Sequence, residues 1–143
     1  MRQRRSQKVE AHERILRAAA RMMRARGPEK ISVDALMRKA GLTHGGFYAH
    51  FKSRDAMVAE TLGVMFGDSV RAMHLLFDGL PPRQALSKFI NWYLSPEHRE
   101  GAIPTCPVVA FSADLPRQSE RFRGVFRSGL KRIVGILVVG ENR

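Results

Sequence analysis

The sequence predicts an all-helical protein. Apolar residues recur three and four positions apart along most of the chain, alternating strand-like runs are almost absent, and Gly or Pro falls at intervals of helix length. A chain of 143 residues is enough for a small module attached to a second helical layer, but not for two large independent domains. The division expected is a three-helix unit over residues 1–52 and a helical unit over residues 53–143.

The first helix is expected from about Ser6 to Arg26, with Ile15, Leu16, Ala19, Met22 and Met23 on one face and arginines largely on the other; Gly27-Pro28 stops it. Ser32 stands where an N-cap belongs, and Val33, Leu36, Met37 and Ala40 follow at the spacing of a short amphipathic helix. Gly41 provides the stop, Leu42 folds back, and Thr43 is placed to cap a third helix ending near Phe51. Only Phe47 and Phe51 form an apolar pair in that third segment, so most of it is expected to face outward.

Ser53 caps a long fourth helix with Asp55 in its first turn and Met57, Leu62, Met65 and Met73 along its stripe; Gly63 and Gly67 weaken it. Pro81-Pro82 opens a fifth helix whose apolar face is Ala85, Leu86, Phe89, Ile90 and Tyr93, closed by Ser95-Pro96. Residues Glu97 to Pro107 read as loop, and Val108 to Asp114 as a short helix. Ser119 caps a last helix carrying Phe122, Val125, Phe126, Leu130, Ile133 and Leu137.

Charge narrows the function classes. The net charge is +12, and 14 Lys/Arg against 6 Asp/Glu lie between Met1 and Glu60, so the anion-attracting face belongs to the first part of the chain. Cys106 is the only cysteine, which removes intramolecular disulfides and thiolate-rich zinc sites and fits a cytoplasmic location. His12, His44, His50, His74 and His98 have no ligand spacing, so no metal or other cofactor is expected. No nucleophile–base spacing, phosphate-cradling glycine loop or carboxylate pair points to an enzyme. The longest apolar stretch, Ile133 to Val139, is too short to cross a bilayer.

The segment from Ser32 to Arg54 is therefore the informative one: a helix, a tight glycine turn and a short polar-faced helix, the helix-turn-helix arrangement. Opposite Phe47 lie Gly45 and Ala49, flanked by Tyr48 and Lys52, with His44 at the exposed amino end. Gly45 and Gly46 each cost helix stability, about 1 kcal/mol relative to alanine, which suggests a benefit outside the helix such as close approach to DNA. Ser32 and Thr43 open helices whose amino ends suit phosphate, and Lys52 and Arg54 add charge beside them. Ordinary capping and a solvated charged face is the plainer account of any one of these residues; their clustering favours phosphate binding.

Ile31-Ser32-Val33, Ala40-Gly41-Leu42-Thr43 and Gly45 through Ser53 together resemble the TetR/AcrR family of bacterial regulators. The resemblance implies a homodimeric repressor on a partly palindromic double-stranded operator, released by a small-molecule effector bound in the second unit. It implies that Ser32, Thr43, Tyr48, His50, Lys52 and Arg54 lie mostly on phosphates, with His44, Gly45 and Ala49 nearer base edges. Ala49 departs from the second aromatic that often follows Tyr48 in the family, trading a phosphate hydroxyl for a possible thymine-methyl contact. Members usually continue through two further helices, so the face of the last helix and parts of Phe111, Phe122 and Phe126 are expected to be uncovered. An effector pocket is conceivable among Met65, Phe66, Met73, Phe77, Phe89, Trp92 and Phe111, although such residues are more often plain core. Thr105-Cys106-Pro107-Val108 is similar to a Cys-Pro-Val segment of one branch of the family, and Cys106 is a candidate redox or electrophile sensor. The competing class is a non-specific architectural protein binding DNA or RNA through basic surface alone.

Overall fold

The computed structural model describes residues 2–100 and 106–141, so Thr105 lies outside the described residues. Seven α-helices are described, with no strand among these residues: α1 (Arg2–Arg26), α2 (Val33–Lys39), α3 (Arg54–Phe77), α4 (Pro82–Tyr93), α5 (Pro96–Arg99), α6 (Pro107–Phe111) and α7 (Glu120–Glu141). Three 3₁₀ segments, Pro28–Lys30, His44–Ala49 and Ser112–Arg117, connect them.

α1, α2 and the segment from His44 to Phe51 meet around one apolar centre because each presents apolar residues on one side. Ile15, Ala18, Ala19 and Met23 of α1 close over Leu36 and Met37 of α2, and Phe47 and Phe51 fill the remaining side. α1 ends where expected, at Gly27 with φ 82°, a backbone region that L side chains avoid. Gly41, φ 69°, ends α2 in the same way, and the Leu42 amide turns back 2.9 Å from the Met37 carbonyl. The Ser32 hydroxyl accepts from the Ala35 amide at 3.1 Å, and the Ser53 hydroxyl from Ala56 at 3.0 Å.

α3 is the element common to both layers. At about 1.5 Å per residue it is roughly 36 Å long, and it buries Met57, Leu62, Met65, Phe66, Val70 and Met73 along its length. Its two interior glycines do not interrupt it. α7 lies along α3, with Phe66 and Phe126 edge to face at 5.5 Å. The approach is closest at Gly129, where an added Cβ would stand 2.2 Å from the Phe66 ring.

Three expectations are corrected. On α4, Leu86 and Ile90 are exposed rather than core, because α4 turns only Ala85 fully inward and half-buries Phe89 and Tyr93 against α3 and α7. Phe111, Phe122 and Phe126 are buried, not uncovered; Phe111 and Phe122 meet edge to face at 6.2 Å. The face of α7 that does remain open carries Val134 and Val138. Within the expected loop, Pro96–Arg99 forms a helical turn capped by Ser95, whose hydroxyl accepts from the His98 amide.

Candidate nucleic-acid interface and apolar cavity

The third segment does not form an α-helix. Between His44 and Ala49 the backbone is 3₁₀, with the Gly46 amide donating to the Thr43 carbonyl at 3.1 Å and the His50 amide to Phe47 at 2.9 Å. Two consecutive glycines and six residues give too little cooperative length for a regular α-helix, and the tighter turn closes locally instead. The segment is held by Phe47 and Phe51, buried with ring centroids 5.4 Å apart. Tyr48 stands outward at 68% exposure, and His44, Gly45, Ala49 and Lys52 are exposed beside it.

The expected site residues separate into groups. Ser32, Thr43, His44, Gly45, Tyr48, Ala49 and Lys52 are exposed, and Gly46 is half-buried. Thr43 makes no side-chain cap, contrary to expectation, which leaves its hydroxyl free of that bond. His44 Nδ1 lies 3.7 Å from Asp34 of α2, which also pairs with Arg38 of the same helix at 3.1 Å, so α2 and the 3₁₀ segment approach through polar groups as well as packing. Neither Gly45 nor Gly46 has positive φ; an added Cβ at Gly45 would meet open space, and at Gly46 only ordinary contacts with Thr43 and Met37. The interior of the protein therefore does not demand glycine at either position.

Arg54 has a different role from the phosphate contact expected of it. Its guanidinium is half-buried and donates to the carbonyls of Ile31 at 2.7 Å, Pro28 at 2.5 Å and Glu29 at 2.8 Å, so it clamps the α1–α2 connection onto the first turn of α3. His50 also turns partly inward, with its ring 5.6 Å from His12 and its Nδ1 buried without a partner among the described residues. Burial first, then His12 and Lys8, hold its pKa below the usual imidazole range. The lowered pKa disfavours the imidazolium and so weakens His50 as a phosphate partner, whereas exposed Lys52 is a full positive charge. Sequence reasoning missed His12, which stacks on Phe51 at 4.6 Å and reaches Glu60 of α3 at 2.6 Å. Its place on the inner edge of α1, one turn before Ile15, was the available clue.

The second layer contains a cavity of about 280 Å³ lined by Ser69, Met73, Phe89, Trp92, Tyr93, Cys106, Val108, Leu130, Ile133, Val134 and Leu137. Of the expected pocket residues, Met73, Phe89 and Trp92 line it. Met65, Phe66 and Phe111 are core instead, and Phe77 packs behind Phe89 at 6.1 Å. The difference arises because α7 crosses α3 beside Phe66, which fills that end and moves the void toward α4 and α6. Few polar groups face the space. Ser69 donates to its own helix at Met65, and burial and the neighbouring Cys106 hold the Tyr93 phenol above its usual pKa, in its protonated form. Cys106 is buried, and among the described residues no cluster could hold a metal ion. No described helix is long and apolar enough to cross a membrane.

Comparison with known proteins agrees with this geometry. Residues 15–61 match the family described as bacterial regulatory proteins, tetR family. Two HTH-type transcriptional regulators of Bacillus subtilis, both uncharacterized, are similar: YerO, 29% identical over 85 residues (57% of this chain), and YdgC, 39% identical over 57 residues (40% of this chain). The matched stretch spans 29% of the length of each relative. The fold is similar to that of Escherichia coli NemR in its reduced form, with a TM-score of 0.81 at 22% identity, covering 92% of this chain and 70% of NemR. A TetR/AcrR family structure aligns with a TM-score of 0.74 at 20% identity, covering 92% of this chain and 71% of that one. Residues 15–61, which include the helix-turn-helix, are thus similar to the tetR family, and the fold of the chain as a whole is similar to that of the two solved structures.

Proposed function

We propose that the chain is a sequence-specific, double-stranded-DNA-binding repressor, placing the His44–Lys52 segment in the major groove and leaving its operator when a small apolar molecule enters the cavity. The observation that carries the reading is the pair Gly45-Gly46, the first exposed and the second half-buried, without positive φ and without an internal contact that excludes a side chain. Their benefit is sought outside the chain, where a base edge or phosphate could approach the backbone. Phe47 and Phe51 anchor the segment, and a groove about 12 Å wide accepts it. His44, Gly45 and Ala49 are nearest the bases. Ser32, Thr43, Tyr48 and Lys52 are on the phosphates, with Lys52 the full charge among them.

Such a regulator acts in the cytoplasm as a homodimer, with half-sites about 34–36 Å apart or a multiple of that. The test is selection of binding sites from random duplex DNA, with oligomeric state measured on the same sample. An inverted repeat bound about 10³-fold or more tightly than scrambled duplex supports the reading. Tyr48→Phe and Lys52→Ala should each weaken it, Lys52→Ala by roughly tenfold. Equal affinity for all duplexes at moderate salt would favour the basic architectural protein instead.

A further inference from the structure

A groove of about 430 Å³ lies between α1 and the DNA-reading segment, lined by Arg5, Lys8, Val9, His12, Glu13, Ala49 and His50. One wall belongs to the face assigned above to base edges, at Ala49. The other belongs to the first part of α1, where the roughly two turns over residues 3–10 are all exposed and Val9 is open at 52%.

The charges of that wall are unevenly satisfied. Glu10 accepts from Ser6 at 2.9 Å, Glu13 pairs with Arg17 at 3.6 Å, and His12 is taken by Glu60. Arg4, Arg5 and Lys8 form no ion pair among the described residues. Arg5, Lys8 and His12 lie on one side of the helix at about 100° per residue, and Arg5 and Lys8 are about 4.5 Å apart along its axis. A positive ridge of this kind, beside a groove in which burial lowers the pKa of His50 and so disfavours its charged form, has the complement of a phosphate strand.

We propose that Arg5 and Lys8, with Arg4 beside them, form a second phosphate-binding edge, gripping the DNA strand that flanks the bases read by the His44–Lys52 segment. This rests on the reading that the segment binds duplex DNA. It adds α1 to the interface as a positioning surface that sets affinity and register without selecting sequence.

The test is the dependence of binding on salt, measured on a random-sequence duplex and on the duplex recovered by selection. Arg5→Ala/Lys8→Ala should reduce the slope of log K against log salt by about 1.8 per bound protomer, the loss of two phosphate contacts. The control is Arg14→Ala/Arg21→Ala, which removes the same net charge from exposed positions about 160–180° round α1. It should leave the slope nearly unchanged. Equal falls in both variants, or a fall in neither, overturn the proposal. A tenfold or greater drop in the ratio of selected to random binding in Arg5→Ala/Lys8→Ala also overturns it, because the pair would then be reading sequence or shape. If the wild type itself shows no preference for the selected duplex, the operator reading fails, and the slopes on random duplex still decide whether this edge binds phosphate.

Discussion

The Arg54 Nε lies 2.7 Å from the carbonyl oxygen of Ile31, and a second nitrogen of the same guanidinium reaches Pro28 and Glu29. A cation in the first turn of a helix opposes the macrodipole, so the position is explained by what it holds rather than by the stability of α3. It holds the strand of chain that leads into Ser32 and α2. From the other side, Glu29 of that turn accepts from Gln118 at 3.1 Å and approaches Arg117 at 3.7 Å, both next to the start of α7. Asp55 does the same with the Ser119 hydroxyl at 2.6 Å. The α1–α2 turn is thus gripped by α3 and touched by the layer that contains the cavity.

Arg54→Met should therefore destabilise the fold by about 2 kcal/mol, since three carbonyls lose charged donors in a half-buried place. Arg54→Lys should recover less than half, because one ammonium cannot reproduce a planar fork. Thermal unfolding measures both. An Arg54→Met protein with wild-type Tm would mean that the residue is an ordinary surface arginine.

Gly129 gives a second test, on packing. A methyl group there would overlap the buried Phe66 ring, and neither α3 nor α7 can withdraw without parting at Phe126. Gly129→Ala should cost about 1–3 kcal/mol or more. Phe66→Leu in the same chain should recover part of that loss, giving a coupling of at least about 0.5 kcal/mol between the two sites. Additive effects would show that the helices separate freely at this point.

Most of the first layer was legible in the sequence because its cues are local. Ser32, Ser53 and Ser119 cap where a hydroxyl precedes an apolar period, and Gly27 and Gly41 end helices where positive φ is required. The outward set at Tyr48, Ala49 and Lys52 followed from one buried pair, Phe47 and Phe51. What local pattern could not give was partner choice across the fold. Arg54 looks like any basic residue beside a helix start until the Pro28–Ile31 carbonyls are brought to it from 23–26 residues away. The expectation that the cavity reaches Met65 and Phe66, too near the start of α3, fails for the same reason. Periodicity marks Phe66 as apolar but says nothing of Gly129, whose missing side chain lets the ring fill that end.

The cavity carries its own reporter. Trp92 is the only tryptophan and stands in the wall. A bicyclic aromatic such as naphthalene, small enough for about 280 Å³, should shift or quench its emission on binding. Val108→Phe, which grows into the same space from α6, should abolish the response while changing stability by less than about 2 kcal/mol. An undiminished response in Val108→Phe would place the probe elsewhere.

His50 makes stability depend on pH in a definite direction. Its folded pKa is lowered by burial, then by His12 and Lys8, whereas the unfolded chain has an ordinary imidazole near 6.5. Between the two values the unfolded state binds more protons, so stability is fully present above about 6.5 and is lost as pH falls toward the folded pKa, below which the curve levels. One group titrating alone cannot exceed about 1.4 kcal/mol per pH unit, and solvent around the rest of the ring keeps the effect well below that. His50→Gln retains a polar side chain of similar reach but does not titrate. Denaturant unfolding from pH 8 to pH 5 should give a shallower decline for His50→Gln than for the wild type, with the curves closest above pH 7. Identical declines would mean that the buried Nδ1 exerts no penalty on protonation.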